Sequence, residues 1–213
     1  MRFINAISYS LAHSLTTELK HSHEKKRVYY YAFQVIIGSL VKGILLILLT
    51  LLLGTFKSTF TVLFFFAALR LVAGGYHMNS YTRCMITSFS IFILFGMAVE
   101  YTSEMWSITA LIILSLATFA AAMLSTVKYA PADTPFKPIT RPDKIKNLKI
   151  ISIIVVLIWM TANILLLIGS QKFYVLAGCL GILMAAFIIS PAGYRFFGFI
   201  SQKRKKSGGS TNT

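Results

Sequence analysis

Six continuous apolar runs, separated by short basic stretches, constrain this chain more than any other feature. They cover about residues 35–53, 59–69, 85–99, 106–127, 150–168 and 173–189. A helix crossing a bilayer needs roughly 20 apolar residues, with about 17 as a lower limit. The first, fourth, fifth and sixth runs meet that length, while the second and third fall short. The fold class expected is therefore all-α: a polytopic membrane helical bundle of six apolar segments. Four full spans plus a re-entrant pair is the variant that the short runs leave open. A membrane β-barrel is excluded, because its strands alternate in hydropathy rather than running continuously apolar. Composition agrees: 56% of residues are apolar and 13% charged, where soluble domains carry about 45–50% and about 25%.

The charge pattern sets the expected topology. The formal net charge is +15, from 21 basic and 6 acidic residues. In a soluble domain such an excess would suggest nucleic acid. Here the cations sit between apolar runs and no aromatic-interleaved basic groove accompanies them, so they point to anionic lipid headgroups and not to nucleic acid. If all six runs cross, every basic residue except Lys42, Lys57 and Lys172 falls on one side. Basic loops stay in the cytoplasm, so both termini and the loop between the second and third runs are expected there. Four crossings give the same placement of the ends. Lys42 lies inside the first run, near enough to its end to snorkel.

Three parts follow along the chain. Residues 1–34 read as an amphipathic helix on the cytoplasmic face with a basic arm, since Ile4, Ile7, Leu11, Leu15 and Leu19 recur at helical spacing among polar residues. Met1 to Arg27 lacks a compact apolar core, so a cleavable signal peptide is not expected. His21 and His23 read as surface histidines, with no third ligand nearby, and no metal site or cofactor is expected. Residues 35–200 form the bundle. Residues 201–213 are first basic and then rich in Gly, Ser and Thr, as in a disordered tail.

The chemistry is concentrated between the second and third runs, in Arg70-Leu71-Val72-Ala73-Gly74-Gly75-Tyr76-His77-Met78-Asn79-Ser80-Tyr81-Thr82-Arg83-Cys84. His77 and Cys84 are seven residues apart. On a straight helix they would share a face but stand about 10 Å apart along the axis. A thiol–imidazole hydrogen bond needs about 3 Å, so joint work requires a break. Gly74-Gly75 and the weak helix formers Asn79, Ser80 and Thr82 permit one. Cys84 then opens the third helix, where the helix N-terminus and Arg83 favour a thiolate. The suggested chemistry is nucleophilic: His77 takes the thiol proton and Cys84 attacks a carbonyl, giving a thioester. Asn79, Ser80, Thr82 or Asp133 could orient the base. Arg70 could bind a substrate carboxylate or simply end its helix. Cys179, between Gly178 and Gly181 in the sixth run, reads as a small packing residue.

A second unusual stretch, Ala130-Pro131-Ala132-Asp133-Thr134-Pro135-Phe136-Lys137-Pro138, holds three prolines that forbid helix. It reads either as a rigid connector or as a peptide-docking edge beside the thiol.

At these residues the chain resembles the accessory gene regulator protein B (AgrB) family, membrane peptidases of quorum sensing. The family's Arg…Gly-Gly-x-His…Cys signature matches Arg70, Gly74, Gly75, His77 and Cys84. Its Pro-x-Asp-Thr-Pro-x-Lys-Pro loop matches Pro131, Asp133, Thr134, Pro135, Lys137 and Pro138. The resemblance implies a cysteine endopeptidase with Cys84 as nucleophile and His77 as base, and Ser80 and the remaining motif residues in support. Its partner would be an AgrD-like precursor peptide, whose own Cys or Ser side chain would resolve the acyl-enzyme and close a thiolactone or lactone ring. A homodimer is implied as well. The competing reading is a small membrane transporter or export component without covalent chemistry, which would account for the spans and for Lys42.

Overall fold

The computed structural model describes residues 2–19, 23–76, 78, 80–132 and 142–202. Its regular elements are eight α-helices and one short 3₁₀ turn: α1 (Arg2–Glu18), α2 (His23–Leu52), α3 (Phe56–Ala73), α4 (Tyr81–Thr102), the turn (Ser103–Met105), α5 (Ile108–Tyr129), α6 (Pro142–Ile168), α7 (Lys172–Ile189) and α8 (Pro191–Gln202). Six of them, α2 to α7, are long and apolar enough to cross a membrane. The second and third runs looked short because polar residues interrupt the hydropathy, not the helix. Lys57 and Ser58 lead into α3 and Arg70 lies in its last turn, so it reaches 18 residues, the same length as α7. Tyr81 to Cys84 likewise extend α4 to 22 residues.

The helix boundaries follow local chemistry. Gly54, at φ 67°, closes α2. The Ser107 hydroxyl accepts from Ala110 N at 3.1 Å and caps α5. Pro142 and Pro191 each stand first in their helices, where the missing N–H is no loss.

The chain forms two compact units, Met1–Gly54 and Thr55–Thr213. In the first, α1 folds back along the first turns of α2. Gln34 Nε2 donates to Asn5 Oδ1 at 2.8 Å, and Lys26 Nζ donates to Tyr9 Oη at 3.1 Å. The expected amphipathic helix thus exists, and its polar groups pair with the next helix. α2, at 30 residues, is about 45 Å long, well beyond a hydrocarbon core of about 30 Å.

In the second unit α7 is the hub, with 61% of its span buried against 28% or less for every other span. Its small residues explain this. A Cβ on Gly181 would collide with Val62 O and Phe65 of α3, and one on Gly178 would press on Trp159 of α6. Close backbone approach of this kind is how helices pack where lipid replaces water. Around α7 the core is completed by Val62 and Leu69 of α3, Val99 of α4, Leu111 of α5 and Val156 of α6.

Successive spans of this unit alternate in direction. At one end Lys172 Nζ donates to Glu104 O at 3.1 Å, and Lys57 Nζ lies 4.8 Å from the Phe173 ring centre. The other end gathers the C-termini of α3, α5 and α7, the N-terminus of α4 and the whole of α8. It carries Arg70, Arg83, Lys128 and Arg195, so the two ends differ in charge as the sequence pattern anticipated. The apolar runs leave α8 out, since Phe196, Phe197 and Phe199 follow the end of the sixth run only after Pro191, Gly193 and Arg195.

Candidate functional site

The break expected between the second and third runs lies between Ala73 and Tyr81. Gly74 has φ 71° and Gly75 φ 125°, conformations that L side chains rarely adopt. Space also demands glycine at both places. A Cβ on Gly74 would strike Ala132 O, and one on Gly75 would strike Arg70 Nη1 and Ile188. The freed backbone is held by three neighbours. Ala132 N donates to Ala73 O at 2.8 Å and Gly75 N donates to Ala132 O at 3.1 Å, a small parallel bridge between the two motif loops. Tyr76 N donates to Ile188 O of α7 at 3.4 Å. Arg70 Nη2 donates to Tyr76 O at 2.8 Å.

Ser80 takes the N-cap position of α4 with an extended backbone; its side chain makes no capping bond, and its carbonyl accepts from Cys84 N at 2.9 Å. Cys84 therefore sits in the first turn of α4, as expected. Its thiol is free and half-buried. It lines a cavity of about 160 Å³ together with Arg70, Tyr76, Met78, Thr87, Ser88 and a set of apolar residues including Ile91, Met184 and Phe197. No carboxylate lines it among the described residues. Three of these residues, Ile91, Met184 and Phe197, also wall a larger groove of about 580 Å³ between α4, α5, α7 and α8.

Two contributors to the site have little or no mark in the sequence. Tyr76 stacks on Phe197 at 6.0 Å and meets Tyr194 edge-on at 5.4 Å, so α8 forms one side of the site. Ala132 is the other, through backbone alone. Pro191 followed by spaced aromatics was the available signal for the first; nothing in the side-chain pattern marks the second.

The motif residues thus divide. Arg70 and Cys84 line one cavity, Gly75 lies against the Arg70 guanidinium, and Gly74 joins Ala132, next to Pro131. Pro131 is half-buried and follows a cis peptide bond. His77, Asn79, Asp133, Thr134, Pro135, Lys137 and Pro138 lie outside the described residues, as do His21 and residues 203–213.

A model of the family described as Accessory gene regulator B matches residues 8–189. The chain belongs to the AgrB family. Among similar proteins, the accessory gene regulator protein B of Staphylococcus intermedius is 33% identical over 159 residues, covering 74% of this chain and 78% of the relative. An AgrB-like protein 2 of Clostridium perfringens strain 13 is 26% identical over 164 residues, covering 76% of each. An AgrB-like protein of C. perfringens strain SM101 is 26% identical over 165 residues, also covering 76% of each. No solved structure matches. Both loops that surround Cys84 and Ala132 fall inside the stretch matched to AgrB, and so does α7. The aromatic side supplied by α8 lies beyond it.

The second cysteine is placed very differently. Cys179 is wholly buried at the centre of the bundle. Ser115 Oγ lies 3.5 Å from its sulfur, and Asn163 Nδ2 donates to Ser115 Oγ at 3.1 Å and to the sulfur at 3.7 Å. It packs α7 against α5 and α6, as its setting in the sequence suggested.

Proposed function

We propose that this AgrB-family protein is a membrane-embedded cysteine endopeptidase. It cuts the C-terminal part from an autoinducing-peptide precursor that resembles AgrD. His77 takes the Cys84 proton, and the thiolate attacks the scissile carbonyl. The C–N bond breaks as the leaving amine receives that proton, and an acyl thioester remains on Cys84. The precursor's own Cys or Ser side chain then displaces the Cys84 thiolate and closes the ring. Exchange of one thioester for another is nearly neutral in energy, so cyclisation precedes hydrolysis where water is kept away. The small, largely apolar cavity suits that demand.

One observation carries the reading: Cys84 is a free, half-buried thiol in the first turn of a helix, facing a cavity that also holds Arg70 and meets the Gly-Gly loop. Ser80, Pro131, Asp133, Thr134, Pro135, Lys137 and Pro138 support or receive the peptide in this proposal. The basic end of the bundle faces the cytoplasm, by the distribution of Lys and Arg, and meets anionic lipid there. An acidic precursor tail would be drawn to the same end. The proposal includes a homodimer, to be checked by cross-linking in native membranes.

The test is Cys84→Ser and His77→Ala with a tagged precursor in membranes. Loss of cleavage with the spans intact is expected of both. Undiminished cleavage by either variant would remove that residue from the mechanism.

A further inference from the structure

Arg70 has an unusual setting. Its guanidinium is largely withdrawn from solvent in the last turn of α3, yet Nη1 has no hydrogen-bond partner. A buried donor left unsatisfied is costly and calls for an explanation. A residue present only to end its helix would turn its charge toward headgroups instead. This one points inward, over Gly75, which has no Cβ to obstruct it.

We infer that Arg70 is a positioning residue whose guanidinium clamps the loop carrying His77, rather than a ligand for substrate. The clamp is the 2.8 Å bond from Nη2 to Tyr76 O, one residue before His77. Two further backbone bonds hold the same short segment from other sides, from Gly75 N to Ala132 O and from Tyr76 N to Ile188 O. Only the Arg70 bond comes from a side chain. It is also the only one of the three that reaches the Tyr76 carbonyl, the last described group before His77 in the sequence. A Cβ on Gly75 would meet Nη1, so the guanidinium lies directly against the segment that it holds. The role deepens the peptidase reading and rests on it for its catalytic consequence, but the clamp itself is a property of the loop.

The test uses the full chain in nanodiscs, with Arg70→Met to remove the donors at similar length and Arg70→Lys to restore a cation. Hydrogen exchange of the segment 74–80 is read first. Arg70→Met is expected to speed it about tenfold while α7 is unchanged. Cleavage of a tagged precursor is read second. A misplaced catalytic group costs on the order of 10²-fold, so kcat should fall by about that factor with KM unchanged, and Arg70→Lys should recover part of it. Unchanged exchange in Arg70→Met overturns the clamp whatever the activity. A raised KM at wild-type kcat overturns it in favour of substrate binding. If Arg70→Met does not fold, the same two readings on Arg70→Lys decide, with intermediate losses expected. Cleavage that persists in Cys84→Ala would instead sink the peptidase reading, and hydrogen exchange alone would then decide for or against the clamp.

Discussion

The two cysteines of this chain occupy opposite kinds of site. Cys84 stands where a helix begins, half-buried, with a cavity before it and a guanidinium along the wall. Cys179 stands in mid-helix, sealed among three helices, with a hydroxyl and an amide against its sulfur. Both are thiols in apolar company. What separates them is backbone: a broken segment leaves a cavity beside one, and uninterrupted helices close over the other. Reactivity in a membrane bundle then depends on where the helices stop, because only there can polar groups and a substrate gather without stranding backbone in lipid.

The largest expected effect contrasts the two sulfurs directly. Cys84→Ala should abolish precursor cleavage, a loss of at least about 10³-fold, while Cys179→Ala should stay within about threefold of wild type. A severe kinetic defect in the Cys179 variant, with the fold intact, would break the comparison. Alkylation should separate them next. Iodoacetamide applied to the protein in nanodiscs should label Cys84 at least about 100-fold faster than Cys179, which must await local opening; peptide mass spectrometry reads both sites in one sample. Comparable rates would mean that Cys179 is not sealed.

A smaller effect probes the loop. Gly75→Ala forces a Cβ against Arg70 Nη1 and Ile188 at φ 125° and should lower turnover by about 10- to 100-fold, measured beside Gly43→Ala, whose Cβ would meet nothing within 4 Å. Equal behaviour of the two variants would show that the loop tolerates displacement. The smallest effect lies in the interior cluster. Asn163→Leu removes a buried amide that bonds Ser115 and Cys179. It should cost about 1–2 kcal/mol of stability, seen as a lowered melting temperature in detergent, with cleavage retained. Loss of activity out of proportion to stability would tie this cluster to the chemistry.

Much of this contrast was legible in the sequence. The apolar runs marked six segments, four of them at spanning length, and Gly74-Gly75 before His77 permitted the break. Cys179 between two glycines announced a packing site. Hydropathy alone misjudged α3 and α4, because Lys57, Arg70 and the Tyr81–Cys84 turn are polar yet helical. A run of apolar residues measures contact with lipid, whereas a helix continues wherever its backbone bonds do. The bridge from Gly74 to Ala132 was not legible, since it is made by main-chain groups that no residue type advertises. Nor was the part played by α8, whose Phe197 and Tyr194 meet Tyr76 only after Pro191 redirects the chain.

The most direct measurement is intact-protein mass spectrometry of this chain mixed with an AgrD-like precursor. A covalent adduct on Cys84 is expected, with the mass of the precursor less its C-terminal tail, released by hydroxylamine as thioesters are and missing from Cys84→Ala. Cleaved tail produced by Cys84→Ala, or an adduct carried on Cys179, would contradict the peptidase reading.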